Sequence, residues 1–339
     1  MNKIVLFYSS VKSKKQFSFQ RFYRTDISIL RDLGYKVKLS NSFFDYFAFW
    51  KYNIAFIYFY RFGILPAIIA KMFRKKVVFT GGIDYLERAY AGEKAYIIQK
   101  YFFILCSFFS DINILVSNAD RNNINKFKSS IKSKKYPLSF HVIDFELYKY
   151  DFISQKEKLV VTIAWMGNDE NVLRKGLDKS IQVFKELKTL DSDFRMKIIG
   201  AKGTGASMIE KLIESLELKN EIELTGAIPE SLKINILKKS MVYIQLSLYE
   251  GFGIAAIEAL ASGNIVIHSN KGGLADGVGE HGVIIDDPNN FSQIAKIILE
   301  QINSPFKAEK LLKGINYVSL NFKYEKRLSD FKSIFINIE

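Results

Sequence analysis

The sequence contains a single cysteine, Cys106, among 339 residues. One cysteine excludes an intramolecular disulfide and is typical of a protein in the reducing cytosol. The sequence also lacks any cluster of Asp, His or Cys at metal-ligand spacing, so we expect no metal site. No secretory signal is recognisable, because the first apolar run, IVLFY, is too short for a signal core and predicts a strand.

No apolar run is long enough to span a bilayer. The best candidate extends from Tyr96 to Ser117. Within it, Lys100 and Asp111 leave about ten uninterrupted residues, against the roughly 20 that a spanning helix needs. We therefore expect a buried helix followed by a strand in this region.

The positive charge is concentrated in the N-terminal half. The formal net charge is +14, and residues 1–150 hold 25 of the 49 Lys and Arg but only 10 of the 35 Asp and Glu. A basic half-molecule attracts an anionic partner, such as a lipid surface, a phosphorylated substrate or a nucleic acid. A lysine-rich codon bias is the alternative explanation, but it would not leave the C-terminal half neutral.

Short apolar runs alternate with amphipathic stretches, a pattern that predicts parallel sheets covered on both faces. In the first half, strands are expected at 3–8, 35–40, 54–60, 76–80 and 112–117, with a helix at 24–34. A polar, irregular stretch at 141–158 is interpreted as a linker. Beyond it, strands are expected at 159–167, 195–200, 221–226, 241–247 and 264–269, and helices at 177–190, 207–218, 230–240 and 253–263.

This pattern predicts an α/β protein with two doubly wound, Rossmann-like domains in series. The predicted N-terminal domain is 1–150, the predicted C-terminal domain is 151–321, and 322–339 is a helix packing back on the N-terminal domain. Ligands bind at the carboxyl ends of the strands in such sheets, so a cleft between the domains would collect them.

The stretch SLYEGFGIAAIEALASGNIVI, residues 247–267, contains the most informative spacing. Gly251 and Gly253 follow a strand and open a helix that begins near Ile254, and glycines let the backbone approach a ligand closely. The free N–H groups and the positive dipole of a helix N-terminus form an anion site. Glu250, just before the helix, can accept hydrogen bonds from hydroxyls.

Glu258 lies about two turns into the same helix. A carboxylate there can bind the two neighbouring hydroxyls of a ribose, which places a diphosphate between a sugar at Glu250 and a nucleoside at Glu258. A solvated helix residue is the alternative interpretation of Glu258. Its small apolar neighbours, AAIEALA, instead favour a partly buried carboxylate with a specific partner.

VLRKGLD, residues 172–178, carries two cations between a strand and a helix. Lys175 is therefore expected to reach the cleft, where a fixed cation stabilises the charge of a departing nucleoside diphosphate. Arg174 beside it is a candidate second cation. Solvated side chains at a helix start are the alternative for both residues.

EGFGIAAIE matches the E-x7-E signature of retaining glycosyltransferases of the GT-B fold. From about Val160 to Asp287 the chain resembles the large family 4 group of such enzymes (glycosyl transferases group 1), with LRKGLDKSIQVFKEL, KIIG, LTGAIPE and GGLADGV in the expected order. The N-terminal domain resembles the family only weakly. The resemblance implies two domains facing each other across a cleft and an enzyme that transfers a sugar with retained anomeric configuration.

The resemblance also implies the substrates. The donor is a nucleoside-diphosphate sugar, with a UDP-sugar favoured, and the acceptor is a glycan or a polyprenyl-diphosphate-linked sugar in bacterial surface polysaccharide synthesis. No cofactor or metal is implied, because cations and a helix dipole can replace the metal. A sugar-nucleotide epimerase and a non-catalytic, membrane-associated partner subunit of the same fold are the alternatives.

The residues carried over by this resemblance fall into two groups. In catalysis, Glu250 contacts the donor-sugar hydroxyls, Lys175 matches the lysine that binds the diphosphate, and Arg174 is the second cation. The nucleobase of the donor is expected beside the loop after a strand, in LTGAIPE. A plain strand–turn–helix connection explains this stretch equally well. The donor-binding residues are Glu258, Gly251, Phe252, Gly253, Ile254, Ala227 and Ile228.

In the N-terminal half, VVFTGGIDYLERAY places Gly82 and then Asp84 after a strand. Asp84 is a candidate for binding an acceptor or sugar hydroxyl, and a helix N-cap is the equally supported alternative. Many members of the family carry a histidine near the donor sugar, whereas the only histidine of this half is His141. A second glycine pair, GGLAD at 272–276, is either a donor-side contact or a simple turn.

Basic and aromatic residues are mixed in 8–25, 43–63 and 71–76. Such mixtures suit an interfacial membrane segment and also single-stranded nucleic acid. We expect an anionic membrane surface and no nucleic acid, which places the protein in the cytoplasm, peripheral on the inner face of the cell membrane.

Overall fold

The computed structural model describes residues 3–128, 134–153, 155–336 and 338. The chain forms two compact units. One comprises the residues up to Val142 together with those from Tyr324 onward, and the other comprises Ile143–Lys323. The C-terminal helix thus belongs to the N-terminal unit, and the units divide earlier than the predicted boundary at residue 150.

The N-terminal unit contains a five-stranded parallel sheet with the order β2-β1-β3-β4-β5. Its strands are β1 (Ile4–Tyr8), β2 (Lys36–Ser40), β3 (Ile54–Tyr58), β4 (Lys76–Thr80) and β5 (Ile112–Ile114). Its helices are α1 (Gln16–Phe19), α2 (Arg21–Asp32), α3 (Tyr60–Met72), α4 (Arg88–Phe108), α5 (Asn118–Asn125) and α15 (Tyr324–Ile336). Short 3-10 helices cover Phe43–Phe47, Phe49–Lys51 and Asp84–Leu86.

Two apolar layers cover the N-terminal sheet. On one face, residues of α3 and α4 such as Ala67 and Phe103 pack on Leu6 and Ile57. On the other face, α2 and α15 pack on Val5, Phe7 and Phe56, with Phe331 of α15 fully buried. This is the α/β sandwich that the alternating sequence pattern predicts.

The C-terminal unit contains a six-stranded parallel sheet with the order β11-β10-β9-β6-β7-β8. Its strands are β6 (Glu157–Ile163), β7 (Arg195–Ile199), β8 (Ile222–Gly226), β9 (Ser240–Gln245), β10 (Ile265–His268) and β11 (Val283–Ile284). Its helices are α6 (Phe145–Tyr148), α7 (Asp169–Lys175), α8 (Leu177–Leu190), α9 (Ala206–Ser215), α10 (Glu230–Lys239), α11 (Ile254–Ala261), α12 (Leu274–Gly277), α13 (Phe291–Asn303) and α14 (Lys307–Asn321). Gly279–His281 forms a short 3-10 helix.

The two faces of this sheet are covered by different helices. Val242 and Ile244 of β9 face a core that includes α8, α9 and α13. Tyr243 lies between them in the strand and points to the opposite face, because successive side chains of a strand alternate. The predicted fold class, two Rossmann-like parallel sheets in series, is confirmed.

Three local expectations were wrong or incomplete. The stretch 141–158 is not a plain linker, because it contains α6, the start of β6 and the buried residues Phe145 and Tyr148. The predicted strand at 159–167 ends at Ile163, and a helix missed from the sequence, α7, follows it. The stretch from Tyr96 onward forms a helix as expected, but this helix is not buried all round, since Tyr101 and Phe108 are exposed.

Candidate active site

Of the two motif glutamates, Glu250 lies in the turn between β9 and α11, and Glu258 lies within α11. Gly253 is the N-cap of α11 and adopts a left-handed conformation with φ of +87°. A Cβ atom there would lie 2.6 Å from Leu274 Cδ2, so both the backbone angle and the packing require glycine. The helix begins at Ile254, as expected, and its first N–H groups face the turn that contains Glu250.

The glycine pair of GGLAD supports this turn from the other side. Gly273 N donates to Glu250 O at 2.7 Å. A Cβ on Gly272 would lie 2.2 Å from Glu250 O, and one on Gly273 would lie 2.3 Å from Gly251 O. Only glycines allow the backbone at 272–273 to lie this close to the backbone at 250–251. Gly272 and Gly273 therefore fix the position of the motif turn. A donor-side role for these glycines stays a prediction.

Lys175 and Glu250 form an ion pair. Lys175 Nζ lies 2.6 Å from Glu250 Oε2, and only 18% of the lysine side chain and 12% of the glutamate side chain are exposed. Gln245 Nε2 donates to the same carboxylate oxygen at 2.9 Å. The predicted partners thus meet at the carboxyl end of β9.

Helix α7 places Lys175 against this strand end. Asn168 caps the helix by accepting from Asn171 N, and Gly176 ends it in a left-handed conformation with φ of +64°. A Cβ on Gly176 would lie 2.2 Å from Leu246 O, so glycine lets the end of α7 touch the residue that follows β9. The two cations therefore lie in the last turn of a helix, not at the start of one.

Arg174 lies next to the pair. Its Nη1 donates to Tyr249 O at 3.3 Å and its Nη2 donates to Asn171 Oδ1 at 3.0 Å. Burial alone would raise the pKa of Glu250, but the charges of Lys175 and Arg174, with the hydrogen bonds from Lys175 and Gln245, outweigh burial and hold this pKa below its usual value. Glu250 is therefore an ionised acceptor at neutral pH.

Glu258 is buried inside α11 with only 3% of its side chain exposed, and Lys233 Nζ lies 2.8 Å from its Oε2. Lys233 stands in the first turn of α10, 5.3 Å from the centre of the Tyr148 ring. The expectation of a buried carboxylate with a specific partner is confirmed. Its role in binding a ribose stays a prediction.

Tyr243 is connected to Glu250 through Gln245. Its hydroxyl donates to Gln245 Oε1 at 2.9 Å, and Gln245 Nε2 donates to Glu250. Burial raises the pKa of Tyr243 well above its usual value, and the negative charges of Glu250 and Glu258 raise it further. Tyr243 and Gln245 are two positions apart in β9, so their side chains lie on the same face of the sheet.

The other residues predicted to bind the donor differ in how exposed they are. Phe252 is buried with its ring 5.6 Å from that of Phe322, which leaves its backbone as the part able to meet a ligand. Ala227 is exposed after β8. Ile228 lines a cavity of about 280 Å³ with Thr225 and Leu232.

Gly82 and Asp84 follow β4 in the N-terminal unit. Asp84 begins a 3-10 helix, and its Oδ1 lies 2.9 Å from where a Cβ of Gly82 would be. The N-cap of α4 is Glu87, whose side chain accepts from Ala89 N. The alternative role of Asp84 as the N-cap of the following helix is therefore wrong.

The histidine of the N-terminal half is not an exposed base. His141 is buried, and its ring lies 5.9 Å from that of Phe22. Burial, followed by the positive charge of Arg327, lowers the pKa of His141 well below its usual value. It is therefore neutral at physiological pH.

Among the residues that the structure describes, no set of three or more His, Cys, Asp and Glu side chains is arranged to hold a metal ion. In the same part of the chain, every helix is too short or too polar to cross a bilayer.

Sequence reasoning missed two residues of the site, Lys233 and Gln245. Gln245 had a signal, since it is a polar residue in the otherwise apolar end of MVYIQLS. Lys233 is one of several lysines in ESLKINILKKS, and nothing in the local sequence distinguishes it from its neighbours.

Comparison with known proteins identifies glycosyltransferases as similar to the C-terminal unit. Residues 152–317 match the family described as glycosyl transferases group 1. The 2-deoxystreptamine N-acetyl-D-glucosaminyltransferase of Niallia circulans is 30% identical over 44% of this chain and 38% of its own length. The O-antigen chain mannosyltransferase B of Escherichia coli is 27% identical over 41% of this chain and 38% of its own length. The chain thus spans about two fifths of these curated relatives.

A solved structure shares the fold over the whole chain. Anabaena HepE in complex with UDP-glucose superposes with a TM-score of 0.78 at 14% identity, covering 99% of this chain and 100% of that one. The GT-B fold predicted from the motif is confirmed, and so is the resemblance to the group 1 family over the C-terminal unit.

Proposed function

We propose, on the premise that residues 152–317 belong to glycosyl transferases group 1, that this chain is a retaining, metal-independent glycosyltransferase. It moves a sugar from a nucleoside-diphosphate sugar to a glycan or a polyprenyl-diphosphate-linked acceptor in bacterial surface polysaccharide synthesis. The observation that carries the proposal is the partly buried Lys175–Glu250 pair beside the N-terminus of α11.

The diphosphate of the donor is proposed to bind at this helix end. The N–H groups of the first turn of α11 and the positive end of its dipole attract phosphate oxygens. Lys175 then exchanges its contact with Glu250 for a phosphate oxygen, and Arg174 adds a second positive charge. Glu250, released from the lysine, accepts hydrogen bonds from the hydroxyls of the donor sugar.

The chemical step is proposed to proceed on one face of the sugar. As the bond between the anomeric carbon and the phosphate oxygen breaks, negative charge grows on the diphosphate, where Lys175 and Arg174 stabilise it. The departing phosphate oxygen takes the proton of the acceptor hydroxyl, whose oxygen bonds to the anomeric carbon from the same side. The anomeric configuration is retained, and no histidine base is required.

The nucleoside end is assigned to Glu258. Lys233 holds this carboxylate in place, and the carboxylate binds the neighbouring hydroxyls of the ribose. UDP-sugars are the first donors to test, because HepE binds UDP-glucose on the same fold. Ala227 and Ile228 are proposed to meet the base through their backbone.

The acceptor is assigned to the N-terminal unit, where Gly82 and Asp84 follow β4. The excess of basic residues in 1–150 suits an acceptor carried on an anionic membrane, so the protein is proposed to act at the inner face of the cell membrane. The relative from Escherichia coli is named for the O-antigen chain, which is consistent with an acceptor of this kind.

The experiment is nucleotide release and sugar transfer measured with UDP-, GDP- and ADP-sugars. Lys175→Met and Glu250→Gln are each expected to lower kcat by about 10²–10³-fold, the usual effect of removing one group that stabilises the transition state. Lys219→Met is the matched control, because it breaks an exposed Lys–Glu pair of the C-terminal unit. Equal rates for Lys175→Met and Lys219→Met would overturn the proposal.

A further inference from the structure

We propose that one face of the N-terminal unit docks on an anionic phospholipid bilayer. The face consists of the 3-10 helices Phe43–Phe47 and Phe49–Lys51 together with α3 and α4, and is called the apolar face below. This inference deepens the proposed function by naming the surface through which the protein meets its membrane. It does not depend on the catalytic assignments.

Helix α4 has an apolar stripe that no part of the protein covers in the structure described. Its buried side carries Phe103 and Cys106, which pack on the sheet. On the other side, large apolar side chains recur at the spacing of one helix face over three turns, and Phe108 at the end of the stripe is 77% exposed. The exposed residues are Ile97, Ile98, Tyr101, Ile104, Leu105 and Phe108.

The neighbouring elements extend this stripe. Helix α3 packs on α4 and on the 3-10 helix Phe43–Phe47, and the Phe49 ring stacks on Phe73 at a distance of 4.1 Å. Trp50 is 69% exposed. The exposed large apolar residues of these elements are Phe44, Phe47, Phe49, Trp50, Phe62, Leu65 and Met72.

The opposite side of the same sheet is different. There α2 and α15 cover the sheet, and the exposed large apolar side chains are Phe19, in α1 beside α2, and Ile336. Scattered exposed apolar residues are normal on a protein surface, whereas a contiguous set on one face marks an interaction surface. The asymmetry therefore argues against a generally apolar composition as the cause.

The charges on the apolar face favour an anionic bilayer as its binding partner. Its elements carry six cationic residues and two acidic ones. Among these, Arg88 is ion-paired with Glu93, and Lys71 is ion-paired with Asp111, which follows α4. Apolar side chains flanked by lysine and arginine, with tryptophan and tyrosine among them, match the interface of an anionic bilayer. The cationic residues are Lys51, Arg61, Lys71, Arg88, Lys94 and Lys100; the acidic ones are Asp45 and Glu93.

Other occupants fit less well. A second copy of this chain meeting the same face would oppose cations to cations, which costs free energy. Single-stranded nucleic acid needs a cationic groove that follows its phosphates, whereas Lys71 and Arg88 of this face are already paired with carboxylates. No described helix is long and apolar enough to span the bilayer, so the contact is one in which the face lies in the interface.

The first test is co-sedimentation with vesicles of phosphatidylcholine alone and of an equimolar mixture with phosphatidylglycerol. The protein is expected to bind the mixed vesicles and to bind them less as salt is raised. The double variant Ile104→Gln/Phe108→Gln is expected to lower the partition coefficient at least about tenfold, since each substitution removes one large apolar side chain from the contact. The matched control is Leu312→Gln/Leu320→Gln, which changes two exposed leucines of α14 in the C-terminal unit.

The second test uses Trp50 as a reporter. The chain has two tryptophans, so Trp165→Phe leaves Trp50 as the only one. Mixed vesicles are expected to shift its emission to shorter wavelengths, and brominated lipids are expected to quench it. Emission that does not change on addition of mixed vesicles would overturn the proposal.

Two further results would also overturn it. One is equal vesicle binding by the wild type and the Ile104→Gln/Phe108→Gln variant when circular dichroism shows both to be folded. The other is self-association of the wild type without vesicle binding, abolished by the same variant, which would assign the face to a protein partner. UDP binding, measured by thermal shift on the same variants, is expected to stay unchanged, so a failed docking surface is distinguishable from a failed catalytic assignment.

Discussion

Lys233 of α10 and Glu258 of α11 form an ion pair of 2.8 Å in which the carboxylate is almost completely buried. The pair joins α10, the helix after β8, to α11, the helix that carries Glu258. Because Glu258 is surrounded by small apolar residues, Lys233 is its compensating charge.

Lys233→Met is therefore expected to destabilise the C-terminal unit. Removing one partner of a buried pair leaves an uncompensated charge and typically costs about 3–5 kcal/mol. Urea unfolding followed by circular dichroism measures the shift in midpoint. Lys219→Met, which breaks an exposed pair with Glu214, is the control and is expected to cost less than about 1 kcal/mol. Equal shifts for the two variants would contradict the structural role of Lys233.

Gly253→Ala is expected to weaken UDP binding more than Gly34→Ala. Both glycines have positive φ, +87° and +88°, so alanine is strained at either position by about 1 kcal/mol. Only at Gly253 would the new Cβ also clash, 2.6 Å from Leu274 Cδ2, whereas at Gly34 nothing lies within 4 Å. Thermal melts and UDP titrations of the two variants test this, and the idea fails if UDP affinity falls equally in both.

The buried side chain of His268 is expected to make the free energy of unfolding depend on pH. It is buried in β10, where its Nδ1 accepts from Asn270 N and its Nε2 lies 3.0 Å from Gly279 O, an arrangement that suits the neutral ring. Burial lowers the pKa of His268 to about 4, against 6.5 for the ordinary side chain. The unfolded chain thus binds more protons between these values, so stability is complete above pH 6.5 and falls by up to about 3 kcal/mol as the pH drops toward 4.

His268→Gln removes this titration. The free energy of unfolding of the variant is expected to fall less steeply than that of the wild type between pH 6.5 and 4, whatever the difference at pH 7. Urea titrations at several pH values give both curves. Parallel curves for the two proteins would show that His268 is not the group responsible.

Arg327 anchors the C-terminal helix within the N-terminal unit. Its Nε and Nη2 contact the two oxygens of Asp26 at 2.7 and 2.9 Å, and its Nη1 donates to Ser139 O at 2.6 Å. Neither Arg327 nor Asp26 is exposed. Arg327→Met is expected to cost about 3–5 kcal/mol, because Asp26 is left charged and buried.

A second variant separates charge from packing at this site. Arg327→Met combined with Asp26→Leu removes both charges and is expected to recover part of the loss. Arg88→Met, which breaks an exposed pair with Glu93 in the same unit, is the control. A double variant less stable than Arg327→Met alone would argue that packing, not charge, dominates.

Local patterns predicted strands β1 to β10, but they missed several helices, among them α3, α13 and α14. KVVFT was expected as a strand at 76–80 and forms β4 over the same residues, and the helix expected at 177–190 is α8. These segments have a clear period of two or of 3.6 residues, which depends only on near neighbours. α7 was missed because its seven residues, DENVLRK, are too short and too polar to show a period.

α4 shows where periodicity stops being informative. From Tyr96 to Phe108 the helix is apolar on nearly every side, so the sequence predicts a helix but not which side is buried. Packing against α3 and the sheet buries Phe103 and Cys106, and by doing so leaves Ile104 and Phe108 outside.

The order of strands β1 to β10, the glycine-rich turn before α11 and the family of the C-terminal unit all follow from the sequence alone, because each depends on residues close together in the chain. The packing of the helices on the sheets determined which charged side chains form ion pairs. Lys175 and Glu250 are 75 residues apart, and Arg327 and Asp26 are 301 apart. Such pairs depend on how whole helices are placed on the sheet, and many lysines and arginines in a basic chain are equivalent candidates until that placement is known.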